Sequence, residues 1–383
     1  MKRIITIQDI SCIGKCSLTV ALPIISAMGV ETAIVPTAVL STHTNFSNFT
    51  FRDLTEDMPS IKDVWVKEGF KFDAIYTGYI GTLEQIDIVS DYFKTFNNPH
   101  GYIIVDPAMA DNGKLYTGFD MAFAKKMTTL CSDADIILPN ISEAAFITNT
   151  PYPGEDASVD EIKAMLLKLA NLGPKIAVIT GVHIEPNRFG YIGYNTESQT
   201  FFSYSTKEIA IKSHGTGDVF ASTVTGALMN DFSIEDSLKI AADYTCKCIE
   251  NTYNDKNAVT YGVNFEAEIP YLLELIGKSV SYTSSYNITV HNKNSPLSIG
   301  LIFAYSLLKE SFFILIRKYI FYCPPWLQPL HPLQPLHPLQ VLPFFLSFLI
   351  DHTIRATIAI KITATTIVPI FSTINGILIT SFK

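Results

Sequence analysis

Short apolar runs alternate with amphipathic stretches along the first 276 residues. The runs end in glycine or a polar residue, whereas the stretches between them repeat apolar positions at helical spacing. Buried strands that alternate with helices are typical of a parallel sheet covered on both faces. Strands are predicted at 4–7, 32–35, 74–81, 102–107, 136–140 and 176–181, with a hairpin formed by 191–194 and 201–204.

Helices are predicted at 18–28, 83–93, 121–130, 144–148, 159–172, 234–250 and 265–276. Two polar stretches, 8–17 and 37–51, are predicted as loops after the first two strands. Ligands of open parallel sheets bind at the carboxyl ends of the strands. The sequence therefore predicts a ligand site bordered by these loops.

The residues Gly215-Thr216-Gly217-Asp218 open a run of small and apolar residues at helical spacing. The backbone N–H groups of a first helical turn point outward and can hold a phosphate. A carboxylate in that turn stays ionised and can accept a proton from an attacking hydroxyl. The motif fits phosphoryl transfer, and taken alone it also fits an ordinary helix start.

Asp106 and Asn140 fall at the ends of two predicted strands, and Glu143 follows Asn140 by three residues. Residues three apart on a helix face the same way, so Asn140 and Glu143 can both reach a hydrated Mg²⁺. The same pair can instead cap the following helix, and the two roles are compatible. His43, in the second polar loop, is either a substrate contact or a solvated side chain, and the sequence leaves both open.

Charge and cysteine usage narrow the class of ligand. The formal net charge is −8, and residues 281–383 hold seven Lys/Arg and two Asp/Glu, so the rest of the chain is strongly acidic. Without a basic stripe, nucleic acid is excluded as a partner and a small ligand is expected. The six cysteines lack metal-binding spacing and are interpreted as reduced thiols. The N-terminus reaches Gln8-Asp9 too early for a signal peptide, which indicates a cytoplasmic protein.

Five segments in this order resemble the motifs of pyridoxal kinases and, more closely, bacterial pyridoxamine kinases of the ribokinase-like superfamily. The resemblance covers about residues 3–276. The segments are Gln8-Asp9-Ile10-Ser11, Leu40-Ser41-Thr42-His43-Thr44, Asp106-Pro107-Ala108-Met109-Ala110-Asp111, Pro139-Asn140-Ile141-Ser142-Glu143 and Gly215-Thr216-Gly217-Asp218.

The resemblance implies an α/β fold, a three-layer αβα sandwich with a mostly parallel central sheet. It also implies transfer of the γ-phosphate of ATP to the 5′-hydroxymethyl group of a B6 vitamer, with Mg²⁺, in a homodimer. The need for a monovalent cation is left open. Such a kinase supplies pyridoxal 5′-phosphate by salvage of the free vitamer.

The resemblance also assigns roles by position. Asp218 is implied as the general base, and the anion hole is formed by the amides of Gly215, Thr216 and Gly217. The residues implied to bind substrate are Asp9, Thr44 and Tyr79. Those implied to line the nucleotide are Asp106, Asp111, Tyr116, Asn140 and Thr180. Asn140 and Glu143 are implied to position Mg²⁺ through water.

Alternatives within and outside this fold remain. After His43-Thr44 the related kinases have a glycine pair, whereas this chain has Asn45-Phe46, which stiffens a loop that needs to move. A hydroxymethylpyrimidine or phosphohydroxymethylpyrimidine kinase of thiamine synthesis has the same catalytic end, but its first loop carries a glycine-rich Gly-x-Asp-x-Ser-Gly-Gly pattern that is lacking here. A sugar kinase fits less well. A catalytically silent or membrane-tethered kinase-fold module is the alternative from another class.

Residues 277–383 match nothing in the related kinases. A six-residue Pro-rich unit occurs at 327–332 and again at 333–338, which forbids helix and central strand. Residues 362–382 carry no charge and on length alone are a membrane-span candidate, but Pro369, Asn375 and Gly376 interrupt them. We interpret 277–383 as a disordered or non-native tail, from read-through or mis-framed sequence, attached to a complete kinase domain of residues 1–276. It is expected to increase aggregation.

Overall fold

A computed structural model describes residues 1–44, 46–211 and 214–278. The described residues exclude Asn45, Lys212 and Ser213. They also exclude the tail beyond residue 278, so the interpretation of this tail falls outside them. Within them, no helix combines the length and the apolar character needed to cross a membrane.

A nine-stranded mixed sheet forms the centre of the fold. Its strands in chain order are β1 (Arg3–Ser11), β2 (Glu31–Leu40), β3 (Phe51–Asp53), β4 (Ala74–Thr77), β5 (Tyr102–Val105), β8 (Ile136–Ile137), β9 (Ile176–Glu185), β10 (Arg188–Asn195) and β11 (Thr200–Lys207). A separate small hairpin contains β6 (Ala110–Asp111) and β7 (Lys114–Leu115). The spatial order is β11-β10-β9-β8-β5-β4-β1-β2-β3.

Six neighbouring strands, from β9 to β2, run parallel. Outside them lie β3, β10 and β11, each of which pairs antiparallel with its neighbours. The parallel strands therefore present their carboxyl ends at one edge of the sheet. The predicted hairpin is confirmed as β10 and β11, which pair from Arg188 opposite Lys207 to Asn195 opposite Thr200.

Helices cover both faces of this sheet. They are α1 (Leu18–Ala27), α2 (Asp57–Lys67), α3 (Leu83–Thr95), α4 (Met121–Asp133), α5 (Ile141–Ile147), α6 (Val159–Ala170), α7 (Thr216–Met229), α8 (Ile234–Asn254) and α9 (Ile269–Leu275), with a 3₁₀ turn at Glu266–Glu268.

Side chains of β1 alternate between two cores, because successive residues of a strand point to opposite faces. Ile5 and Ile7 pack in the core that contains residues of α3 to α6. Ile4 packs in the core that contains residues of α1, α7 and α8. The predicted three-layer αβα sandwich with a mostly parallel sheet is confirmed.

Several details of the sequence prediction are wrong. The second strand does not end at residue 35, because β2 continues to Leu40 and pairs with β3, so the predicted loop 37–51 begins and ends in strand. The first strand does not end at Ile7, because Ile10 and Ser11 continue to pair with Val39 and Leu40 of β2 across a β-bulge. The tertiary ladder thus takes in polar residues that local pattern assigns to loops. Helix α2 is missing from the prediction, and Met58 is its one buried residue.

Candidate active site

The carboxyl edge of the parallel sheet gathers the predicted acidic residues. Asp9 lies near the end of β1, Asp106 directly follows β5, and Glu143 lies in the first turn of α5 after β8. All three are less than one-tenth exposed, at 4%, 8% and 2%. Asp106 and Asp9 both raise the pKa of Asp218 at the start of α7, and the Glu143 charge raises the pKa of Asp106. The structure therefore brings these four carboxyl groups into one electrostatic site.

The anion-binding geometry at the start of α7 depends on Gly215. Gly215 occupies the helix N-cap in the left-handed region, with φ 76°, and its carbonyl accepts from the Val219 N–H at 3.0 Å. Among the described residues no side chain caps this helix end. The N–H groups of the first turn have no acceptor within the helix, so they are suited to hold an anion.

Asp218 is partly exposed in that first turn. Desolvation by the surrounding protein and, to a smaller extent, the charge of Asp106 raise its pKa to about 8, although the Ser17 backbone N–H favours the ionised form. A carboxyl group that titrates near neutral pH is suited to take and release a proton during turnover.

Asp9 is held by two serines. The Ser11 hydroxyl donates to the Asp9 Oδ2 at 2.9 Å, and the Ser17 side chain also hydrogen-bonds to this carboxylate. Burial raises the pKa of Asp9 in spite of these bonds. A buried carboxyl group with fixed orientation can recognise a ring nitrogen or hydroxyl of a small polar heterocycle.

Asn140 and Glu143 form a capping box at the start of α5. The predicted capping role of this pair is therefore confirmed. Glu143 Oε2 accepts from the Asn140 N–H at 2.9 Å, and its Oε1 accepts from the Met109 N–H at 3.0 Å. Burial raises the pKa of Glu143 to about 7. The Oε1 also accepts from the Ala110 N–H at 3.5 Å, whereas the Oε2 retains a further lone pair, so a cation held through water fits at the Oε2.

The other predicted contacts lie around the same edge. Tyr79 stacks on Phe119 with ring centroids 5.5 Å apart, and burial raises its pKa to about 12. Burial and the nearby Glu143 charge raise the pKa of Tyr116, although its side chain remains partly exposed. Thr180 pairs with Asn140 as an isolated parallel bridge. Asp111 and Thr44 are exposed, and the side chain of Asp111 accepts from Asn112.

The mouth of the site is lined by rings from three segments of the chain. His43 lies 4.8 Å from Phe46 and 5.8 Å from His214, measured between ring centroids, and its Nε2 is 3.3 Å from the Tyr261 carbonyl oxygen. Burial lowers the pKa of His43. His43 is therefore packed between loops rather than fully solvated, and a substrate contact stays a prediction.

The sequence places residues 14–17 in a loop that borders the site, but it does not predict the backbone conformation of this loop. Lys15 and Ser17 have positive φ values of 49° and 51°, which non-glycine residues rarely adopt. The Lys15 Nζ donates to the Val263 carbonyl at 3.2 Å and pairs with Glu266 at 2.9 Å. These contacts hold the loop against the segment that follows α8, and no pattern in the sequence indicates such backbone angles.

The free energy of unfolding is expected to decrease between about pH 5 and pH 8. Folded Asp218 titrates at about 8, whereas an unfolded aspartate titrates at about 3.9, so the folded state binds more protons in this range and loses stability as they leave. Glu143 acts in the same direction. Urea unfolding at the two pH values measures the difference, and Asp218→Asn should reduce it, whereas Asp63→Asn, at an exposed position of α2, should not. If the free energy of unfolding changed equally with pH in the wild type, Asp218→Asn and Asp63→Asn, the assignment of this effect to Asp218 would be refuted.

The family model and the proteins to which this chain is similar are all described as kinases. A family model described as phosphomethylpyrimidine kinase matches residues 21–262. A solved structure from Bacteroides thetaiotaomicron, assigned as a phosphomethylpyrimidine kinase and crystallised with pyridoxal, is 38% identical with a TM-score of 0.67 and covers 71% of this chain and 95% of its own. Pyridoxal kinase from Lactobacillus plantarum is 28% identical with a TM-score of 0.66, covering 72% and 98%.

Curated relatives include both enzyme types. The hydroxymethylpyrimidine/phosphomethylpyrimidine kinase of Bacillus subtilis is 26% identical over 188 residues, 49% of this chain and 67% of that protein. A pyridoxal kinase of Histophilus somni is 23% identical over 264 residues, 66% and 90%. The matched family model spans more than half of the chain. The relatives reported above share the ribokinase-like fold. The chain belongs to the phosphomethylpyrimidine kinase family.

Proposed function

We propose that this kinase phosphorylates the 5′-hydroxymethyl group of a B6 vitamer with ATP, in the salvage of pyridoxal 5′-phosphate. The arrangement of Asp218 beside the open first turn of α7 carries the phosphotransfer part of the proposal. The 38% identical structure that holds pyridoxal supports the substrate class.

The chemistry follows from the groups at the carboxyl edge of the sheet. The Asp218 carboxylate takes the proton of the substrate hydroxyl as its oxygen attacks the γ-phosphorus and ADP leaves. The Gly215, Thr216 and Gly217 amides face the charge on the transferred group. Asp9 orients the ring, with Thr44 and Tyr79 beside it.

A cation is needed because ATP must approach several carboxylates. Mg²⁺ would neutralise the phosphate oxygens and would be held by Asn140 and Glu143 through water. In the described part of the chain no three His, Cys, Asp or Glu side chains form a metal-binding group by themselves. Shared coordination by substrate phosphates and water fits that donor set. Asp106, Asp111, Tyr116 and Thr180 are proposed to border the nucleotide.

A hydroxymethylpyrimidine or hydroxymethylpyrimidine phosphate kinase is the second candidate. The matched family model and the Bacillus subtilis relative favour it. Both substrate classes are flat nitrogen heterocycles with a hydroxymethyl group, so the phosphotransfer groups serve either. The absence of a glycine-rich pattern in Gln8-Asp9-Ile10-Ser11 favours the B6 vitamers.

A substrate panel separates the candidates. We expect ATP-dependent phosphorylation of pyridoxal, pyridoxamine or pyridoxine with kcat/KM at least about tenfold above that for either pyrimidine, because a site built around one set of polar groups rejects the other. ADP release is measured for the full chain and for residues 1–278. Preference for a pyrimidine would overturn the substrate proposal, and no turnover with ATP still bound would favour a silent module.

The proposed domain boundary is tested by the same comparison of the full and the shorter chain. Residues 1–276 are proposed as the kinase domain, so the shorter chain should keep the activity and aggregate less. We propose that the protein is a cytoplasmic homodimer. Light scattering of the purified protein tests whether it is a dimer.

A further inference from the structure

Tyr79, which the proposed function places beside the substrate ring, follows β4 at the carboxyl edge of the sheet. On one side of this strand end, the Gly78 N–H donates to the Ile7 carbonyl of β1 at 3.2 Å. On the other side, the Asp106 N–H after β5 donates to the Thr77 carbonyl at 3.0 Å. Tyr79 therefore leaves the sheet between the ends of β1 and β5, which carry acidic residues of the site.

The ring of Tyr79 belongs to a stack of three aromatic side chains. Its centroid lies 5.5 Å from that of Phe119. The Phe119 ring in turn lies 3.9 Å from the Phe123 ring, and the two planes differ by 3°. Phe123 is buried on α4, so the stack runs from the core to the partly exposed Tyr79. Contacts between aromatic rings favour particular geometries, so the stack restricts the plane of the Tyr79 ring.

The backbone of Tyr79 is held by a side chain of β2. The Thr37 hydroxyl donates to the Tyr79 carbonyl oxygen at 3.2 Å, and Thr37 is 0% exposed. This bond joins β2 to the segment 78–81, although β2 and β4 are not neighbours in the sheet. A buried hydrogen bond is costly to break without water to replace it, so it fixes the distance between the two segments.

Gln85 on α3 connects Thr37 to the same segment. Its Nε2 donates to the Thr37 carbonyl and to the Thr55 hydroxyl, both at 2.9 Å. Its Oε1 accepts from the Gly81 N–H at 2.8 Å, and Gln85 is 1% exposed. An amide side chain has two N–H donors and one carbonyl, so every polar group of Gln85 has a partner here. A buried polar network whose members are all bonded in this way is rigid.

We propose that Thr37 is a positioning residue for Tyr79, and that the network of Thr37 and Gln85 fixes the wall of the substrate site on the side of Tyr79. The hydroxyl fixes the backbone of Tyr79, and the aromatic stack fixes its ring. A flat heterocycle is held by such a wall at van der Waals distance. The inference rests on the proposed function, which puts Tyr79 beside the substrate. The network contains none of the groups proposed for phosphotransfer, so its loss should act on substrate binding rather than on the chemical step.

Thr37→Val removes the hydroxyl and keeps a branched side chain that suits a strand. We expect KM for the best substrate of the panel to rise about fivefold, because the wall is no longer fixed. KM for ATP and kcat should stay within about twofold of wild type. Thr37→Ser retains the hydroxyl and should keep the wild-type KM. ADP release at varied substrate and varied ATP concentrations gives these constants.

Thr55→Val is the matched control, because it removes a hydroxyl from the other end of the same network. The Thr55 hydroxyl is buried before α2 and accepts from Gln85. Both valine variants should lower the urea concentration at the midpoint of unfolding, but only Thr37→Val should raise KM for the substrate. An unchanged KM in Thr37→Val, an equal rise in Thr55→Val or an equal rise in Thr37→Ser would overturn the positioning role.

Hydrogen exchange tests the contact without an assay of activity. The amides of residues 78–81 should exchange about tenfold faster in Thr37→Val than in the wild type or in Thr55→Val, because this segment loses its bond to β2. Equal rates in the three proteins would overturn the inference. If the wild-type protein phosphorylates none of the candidate substrates, the proposed function fails, and the exchange rates still decide whether Thr37 fixes this segment.

Discussion

Asp218→Asn is expected to lower kcat by about 10³-fold while ATP binding is retained. Asparagine keeps the size of the side chain but cannot accept the proton of the substrate hydroxyl. The first-turn amides of α7, which are proposed to hold the phosphoryl group, are unchanged. The lost group thus acts in the transition state, and ground-state binding of the nucleotide does not depend on it.

The same substitution should raise stability near pH 8. The surrounding protein and Asp106 disfavour the ionised form of Asp218, and an amide removes that unfavourable charge. Single-turnover kinetics, calorimetric ATP titration and urea unfolding measure the three effects. Asp63→Asn on α2 is the control for loss of a carboxylate away from the site. Turnover of Asp218→Asn within tenfold of wild type would remove Asp218 from the mechanism.

Gly215→Ala is expected to lower kcat by about 10²-fold or more and to destabilise the fold. A Cβ at this position would lie 2.2 Å from the Lys15 carbonyl oxygen, and φ is 76°, so both the clash and the backbone angle oppose a side chain. The loop or the helix start must move, and donors aimed at a developing charge lose their effect when displaced.

Gly69→Ala is the matched control for the backbone angle. Gly69 has φ 72° but its Cβ would meet no atom within 4 Å, so alanine there costs only the strain of the left-handed region, about 1–2 kcal/mol. Comparison of the two variants by urea unfolding and by kcat separates strain from displacement of the site. Equal losses of stability and an unchanged kcat in Gly215→Ala would contradict the proposed anion hole.

Residues of the helix-start motif were identified from sequence because the signal is local. Gly215-Thr216-Gly217-Asp218 combines a permissive backbone with apolar periodicity in the next three turns, and α7 begins where this pattern predicts. Asn140 and Glu143 are similar, because a capping box is complete within four residues. Such motifs can be identified from sequence because every interacting group lies within one helical turn.

The backbone angles of the loop 14–17 and the contact between β4 and α7 were not identified from sequence for the opposite reason. The positive φ of Lys15 and Ser17 exists because Lys15 is tied to Val263 and Glu266, about 250 residues further on. Tyr76 follows the pattern of an ordinary buried strand residue, and only the packing of α7 over β4 places its hydroxyl beside Ser222.

The sequence by itself determined the alternation of buried strands and helices, and hence the α/β sandwich, together with the helix start that presents Asp218. These depend on the spacing of apolar side chains and on the angles that glycine allows. The tertiary structure decided the protonation behaviour of the site. Burial and the approach of Asp106 to Asp218 set that pKa, and these two residues are separated by more than a hundred positions in the chain. Desolvation and Coulomb energy depend on distance in space, which local sequence does not specify.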